Sequence, residues 1–418
     1  MRISSTLFFQ TGLNAINAQQ ADLMHLYQQT ASGQRMVTPA DDPLAAAQAI
    51  NLRQSQSLNQ RFADNREVLK NNLGAEENAL NSTTLLLQDV KTRLIEAGNG
   101  TMSDADRATL ADVLQSAKEN MLGLANSADG NGQYLFSGHA GTRPPFVKDA
   151  SGAVSYQGDA GQRLVQADQT RQIASSDVGT DIFASAPAGS RSYVTAGDSG
   201  NAGTGVIGKP VITDPDGDNV GKPFSIEFVE DNSGTEPVLR YTITVTEPDG
   251  STTETVADYE PGTTSLSLPG GLQVAFSGSP ADGDTFTVEP AASPGTNLNI
   301  FDTLDDVIAA LKAPASGVDR AQASLANTLA TAIQKIDLNY DQVLTVRASV
   351  GARMNEVDDI DANGSLRSLS YSNQLSKLED VDYYTVTAQL QLRQAALEAA
   401  ALAFKKIQGT SLFNMGSN

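Results

Sequence analysis

The chain of 418 residues contains no cysteine and only two histidines, His25 and His139. Without cysteine there are no disulfides, thiolate metal sites, Fe–S clusters or cysteine nucleophiles. Two histidines leave a multi-histidine metal site or a triad almost nothing to draw on. Basic residues are scarce: 28 Lys+Arg stand against 49 Asp+Glu, for a net charge of −21. Such a balance argues against nucleic acid or an anionic membrane as partner, because phosphate binding needs a basic face. Long apolar runs are missing too. The longest, Ala399 to Phe404, has six residues, against roughly 18 for a membrane span. The first ten residues hold one basic side chain and a three-residue apolar run, without the hydrophobic stretch of a cleaved signal peptide. The expectation is a cytosolic chain, or one exported by a route that cleaves no signal.

Prolines and glycines are unevenly spread. Residues 181–295 hold 11 of the 16 prolines, 16 of the 35 glycines, and 17 acids against 4 bases. The flanks are rich in Ala, Leu, Gln and Asn. Helix formers outside and chain breakers inside predict a helical scaffold interrupted by a β insertion. Within the insertion apolar side chains alternate: Phe224, Ile226, Phe228; Tyr241, Ile243, Val245; Leu272, Val274, Phe276; Phe286, Val288. Period two reads as half-buried strands. Glu247-Pro248-Asp249-Gly250 supplies a turn between two of them. The fold class expected is α+β and multidomain. A long coiled-coil or bundle scaffold comes from both chain ends, with an all-β sandwich-like domain over 192–295.

In the N-terminal flank Phe9, Leu13, Ile16, Gln20, Leu23, Tyr27 and Thr30 step 4-3-4-3-4-3, a coiled-coil seam on a helix from about Ser5 to Ala31. Asp42-Pro43 starts a second helix, with Asp42 as cap and Pro43 at a position needing no N–H; it runs to about Ala97. Ser103 with Asp106 forms a near capping box for a third. Short strands are expected at Tyr134–Phe136, Val154–Tyr156 and Arg163–Val165. The C-terminal flank reads as helices over about 299–313, 318–362 (stopping at Asn363-Gly364) and 366–407. In the last, Leu378, Val381, Thr385, Ala388, Leu392, Ala395, Ala399, Leu402 and Lys406 form a second seam, with Leu390, Leu397 and Phe404 on a neighbouring face. The simplest packing is the N-terminal helix antiparallel on the C-terminal one. An apolar surface wider than one seam implies further partners, so assembly with other subunits is expected.

Local motifs sharpen this. Ala31-Ser32-Gly33-Gln34-Arg35-Met36-Val37-Thr38-Pro39-Ala40-Asp41-Asp42-Pro43-Leu44-Ala45-Ala46-Ala47-Gln48-Ala49 resembles the N-terminal signature of the bacterial flagellin superfamily. Gln133–Gly138 with Pro145-Phe146, Tyr156–Arg163, Gly179–Phe183, Arg353–Asp359, Leu378–Tyr383 and, near the C-terminus, Ser411-Leu412-Phe413-Asn414 resemble its hook–filament junction branch. The resemblance covers about 1–183 and 300–418. It implies a coiled-coil inner domain (1–41 with 366–418), a helical-rod domain with small hairpins (42–183 with 300–365) and an outer β domain (192–295). It also implies a structural subunit of an extracellular flagellum, exported without signal cleavage. The partners it implies are further copies in a ring, hook-associated protein 1 on the hook side, flagellin on the filament side, and a cytosolic export chaperone on the C-terminal helix. Flagellin itself is the alternative of the same architecture; a glycan- or cation-binding adhesin belongs to a different class. No nucleophile–base constellation assembles, so no catalytic, cofactor or metal residues are expected.

Individual residues read blandly. The motif loop Arg35, Pro39, Asp41, Asp42, Pro43 is expected to be a structural joint, with Asp41-Asp42 a turn and cap rather than an acid/base pair. The doublets Glu76-Glu77, Asp305-Asp306 and Asp358-Asp359 read as solvated helix faces. Asp214-Pro215-Asp216-Gly217-Asp218-Asn219 matches the start of a calcium loop only in part, and an acidic turn is expected. His25 falls outside the N-terminal seam, at a subunit contact.

Overall fold

The computed structural model describes residues 5–232 and 237–413. Two compact units form: Met1–Asn65 with Asp359–Asn418, and Arg66–Asp358. The helices are α1 (Ser5–Ser32), α2 (Pro43–Ala97) and α3 (Asp104–Ala125), then α4 (Gly179–Phe183), α5 (Ile300–Lys312), α6 (Asp319–Glu379) and α7 (Tyr383–Phe413). Two small hairpins precede α4: β1 (Phe146–Lys148) with β2 (Val154–Tyr156), and β3 (Leu164–Asp168) with β4 (Arg171–Ala174). The remaining strands, β5 (Tyr193–Gly197), β6 (Val206–Ile212), β7 (Phe224–Asp231), β8 (Val238–Thr246), β9 (Thr252–Asp258), β10 (Ser265–Leu268), β11 (Leu272–Ser277) and β12 (Thr285–Pro290), build two antiparallel sheets. Their orders are β5-β12-β7-β8-β9 and β10-β11-β6.

In the second unit, side chains from both sheets meet in one core: Phe224, Ile226, Phe228, Ile243, Val245, Phe286 and Val288 face Leu266, Leu272, Val274 and Phe276. The expected alternation is therefore the sandwich interior. Phe228 has ring partners at Phe276 (5.4 Å) and Phe286 (5.9 Å). Each such fully buried side chain contributes about 1.5–3 kcal/mol. The Glu247–Gly250 turn joins β8 to β9, with the Gly250 N–H on the Glu247 carbonyl and a positive φ of 85° at Gly250.

The sandwich is pinned to α6 by side-chain amides. The Asn327 carboxamide accepts from Ile207 N–H and donates to the Gly205 carbonyl, both at 2.9 Å. Gln334 accepts from Thr195 N–H at 3.1 Å, and Thr331 donates to the Thr195 carbonyl at 2.7 Å. β5 and β6 are the outer strands of their sheets, so α6 supplies partners that a further strand would otherwise give. On the helical side, Ser103 and Asp106 close the capping box of α3, and Asn299 caps α5 by accepting from Phe301 N–H at 3.0 Å.

Three expectations fail here. Tyr134–Phe136 is not a strand: Tyr134 makes one isolated bridge to Ala128. The carbonyls of this segment are taken instead by side chains and a turn. Arg163 donates to the Tyr134 carbonyl (2.9 Å), while the Tyr156 hydroxyl and the Gly179 N–H donate to the Phe136 carbonyl (both 3.0 Å). Two of the acidic doublets are not solvated faces. Glu76 is fully buried, Glu77 pairs with Arg347 at 2.6 Å, and Asp305 holds the buried Lys118 ammonium at 2.5 Å. Finally, α6 runs through Asn363-Gly364 to Glu379. Gly364 is buried, with its carbonyl accepting from the Asn59 carboxamide of α2 at 2.9 Å. Close packing there outweighs the local tendency to end a helix.

Candidate functional site

The first unit carries the residues marked for assembly. α1 lies antiparallel on α7: Phe9 meets Phe404 with ring centroids 5.0 Å apart, Arg393 bonds Gln19 and pairs with Asp22 (both 3.2 Å), and Leu26 clusters with Val381, Val386 and Leu390. The face that α1 covers is Gly12, Ile16, Gln19, Leu23, Leu26 and Thr30, all buried or half-buried. Its counterpart on α7 is Val386, Leu390, Arg393, Leu397, Ala400 and Phe404. Both step 4-3-4-3-4. The pairing at Gly12 is tight, since a Cβ there would stand 3.1 Å from the Phe404 ring.

Of the N-terminal seam marked in the sequence, Ile16 and Leu23 lie in this contact; Phe9 reaches it through the Phe404 ring and Tyr27 by accepting from the Gln394 carboxamide, yet both keep exposed surface, as does Leu13. On α7 the marked seam is turned away from α1. Ala388, Leu392, Ala395, Ala399 and Leu402 are all exposed, Leu392 at 69% and Leu402 at 68%. The neighbouring face of Leu390, Leu397 and Phe404 makes the in-chain contact instead. Larger side chains there bury more area against a single partner than the alanine-rich stripe would. The missed members, Leu26, Val386 and Arg393, follow the same 4-3 step in a different register. Of the ending Ser411–Asn414, Asn414 lies outside the described residues.

The marked C-terminal seam also crosses a break. Leu378 ends α6 and Val381 stands between α6 and α7, so neither shares a helix with Ala388–Leu402. This break is made by the motif loop. Arg35 N–H donates to the Glu379 carbonyl (2.7 Å) and Val381 N–H to the Gly33 carbonyl (3.0 Å). The Arg35 guanidinium donates to the Leu378 carbonyl through Nε (3.2 Å) and Nη2 (3.1 Å), and Nη2 also pairs with Asp42 at 3.2 Å. A cation on the last carbonyls of a helix satisfies them and complements the dipole. Asp42 caps α2 by accepting from Ala45 N–H at 3.0 Å, with Pro43 as first helical residue. Asp41 accepts from Val37 and Thr38 N–H (2.9 and 2.8 Å), and His25 Nε2 lies 3.2 Å from its other oxygen. The Thr38 N–H holds the Asp41 carboxyl below its ordinary range, and the Ala45 N–H followed by Arg35 does the same for Asp42. Asp382 caps α7, accepting from Tyr384 N–H at 3.0 Å. Pro39 stays exposed. Four helix ends thus meet in one hydrogen-bonded corner. Among the described residues no cluster of three His, Cys, Asp or Glu suits a metal ion, and no helix is long and apolar enough to cross a membrane.

A family model for the bacterial flagellin N-terminal helical region matches residues 3–140, the stretch holding α1, α2, α3 and the corner loop. Flagellar hook-associated protein 3 of Salmonella typhimurium is 30% identical over 99% of this chain and 99% of its own length. The chain belongs to the flagellar hook-associated protein 3 family. The Escherichia coli K12 hook-associated protein 3 is 28% identical over the same shares. The crystal structure of FlgL from Xanthomonas campestris superposes with a TM-score of 0.66 and 26% identity, over 78% of this chain and 99% of that one.

Proposed function

We propose that this chain is a non-enzymatic structural subunit of the bacterial flagellum, forming the junction between hook and filament by self-assembly of α1 and α7 with neighbouring subunits. The observation that carries the reading is the stripe Ala388, Leu392, Ala395, Ala399, Leu402 left exposed on α7 while the adjacent face is spent on α1. Phe9, Leu13 and Tyr27 extend the exposed apolar surface on α1. In this reading the subunits form a ring, with hook-associated protein 1 on one side and flagellin on the other. A cytosolic chaperone covers the C-terminal helix before export, and the protein works outside the cell after export without signal cleavage. Residues 1–41 with 366–418 act as the inner domain, 42–183 with 300–365 as the rod, and 192–295 as the outer domain. The hydrogen-bonded corner at Arg35–Pro43 sets where α1 and α7 leave α2 and α6.

Immunogold labelling of intact flagella with antibody against residues 192–295 tests this. A single narrow band where hook meets filament is expected. Label along the whole filament would instead make the chain a filament subunit, and flagella without label would overturn the assignment.

A further inference from the structure

Glu76 sits in the middle of α2 with no exposed surface. One carboxyl oxygen accepts from Asp177 N–H at 2.9 Å; the other, Oε2, is buried without a hydrogen-bond partner among the described residues. The charged groups acting on it are Asp177, in the segment leading into α4, and Arg353 on α6. Arg353 is already committed: it pairs with the Asp177 carboxylate and donates to the Ala174 carbonyl at 3.1 Å. Farther out, Arg347 of α6 is held by Glu77, Arg163 by the Tyr134 carbonyl, and Asp181 lies beyond Asp177. Glu76 therefore faces a carboxylate with no cation of its own. A buried carboxyl in that setting keeps its proton.

We propose that the proton on buried Glu76 is a latch, holding the segment from Ser175 through α4 between α2 and α6, and that losing this proton releases the segment. What the latch secures is substantial. Phe183 of α4 packs on Phe136 and Phe146, at 5.7 and 5.5 Å, and the Asp181 carbonyl accepts from the Gln342 carboxamide at 2.5 Å. Burial, then the Asp177 charge, pushes the Glu76 carboxyl up to about 8 from an ordinary 4.5. When the segment opens, Glu76 meets water and returns to the ordinary value. Between the two values the open form holds one proton fewer, so the latch is tightest below pH 4.5 and weakens as pH rises to about 8. Opening then grows by up to about tenfold per pH unit.

Hydrogen–deuterium exchange of the full chain, read by mass spectrometry and corrected for intrinsic rates, tests this. From pH 5.5 to 7.5, protection of peptides over 175–183 is expected to fall by about 100-fold at most and by no less than about tenfold. In Glu76→Gln, which keeps the acceptor for Asp177 N–H but cannot ionise, protection stays level across that range. A flat profile in the unaltered chain overturns the proposal, as does a profile in Glu76→Gln matching it. If that variant fails to fold, Asp177→Asn substitutes for it. Arg353 is then free to pair with Glu76, and the pH dependence shrinks; an unchanged dependence would contradict the latch.

Discussion

The strand β7 and the helix α7 are both apolar on a strict period, yet they end differently. In β7 the repeat Phe224, Ile226, Phe228 is sealed inside the sandwich, with Phe228 at 0% exposure. In α7 one repeat, Val386 to Phe404, is covered by α1, while a second, Ala388 to Leu402, is left in water. An apolar period states that a face will be buried. It does not state by which chain. The sandwich completes its own core, and the terminal helices do not.

The sharpest way to break this contrast is within the core. Phe228→Ala should destabilise the chain by about 3–5 kcal/mol in a denaturant melt, through lost transfer energy and a cavity among rings. A smaller effect is expected at the pin on α6. Asn327→Leu strands the Ile207 N–H and the Gly205 carbonyl, at a cost of about 2–4 kcal/mol. Faster exchange at the Ile207 amide is the accompanying sign. Smaller again is the corner: Arg35→Ala removes an exposed guanidinium from the end of α6, at a cost of about 1 kcal/mol. Val381 N–H should then exchange faster while the β7 amides do not change.

How far the sequence disclosed this depends on the range of the forces. The start of α3 was legible because Ser103 and Asp106 cap it from three residues apart. The Asp42-Pro43 start of α2 was legible for the same reason. Strand alternation was legible because each side chain reports its own face. The end of α6 was not. Asn363-Gly364 looks like a stop, but Asn59 and close packing carry the helix on. The true stop at Glu379 is written by Arg35, 343 residues from Leu378 in sequence. The burial of Glu76 is hidden for a similar reason, since the groups that reach it, the Asp177 N–H and the Arg353 charge, come from distant segments. On α7 two seams of equal period overlap, and only contact with α1 decides that Leu390, Leu397 and Phe404 face inward. The apolar spacing of the stripe is plain in the sequence, while its separation from the in-chain contact required the fold.

Leu392→Asp tests the central claim most directly. Leu392 is 69% exposed, so thermal unfolding of the full chain should move by less than about 1 kcal/mol, the cost of an exposed helical substitution. Incorporation into flagella, followed by immunogold labelling in cells producing only the variant, should be lost. Normal incorporation of a stably folded Leu392→Asp chain would contradict the account, because the exposed stripe on α7 would then have no neighbour to cover it.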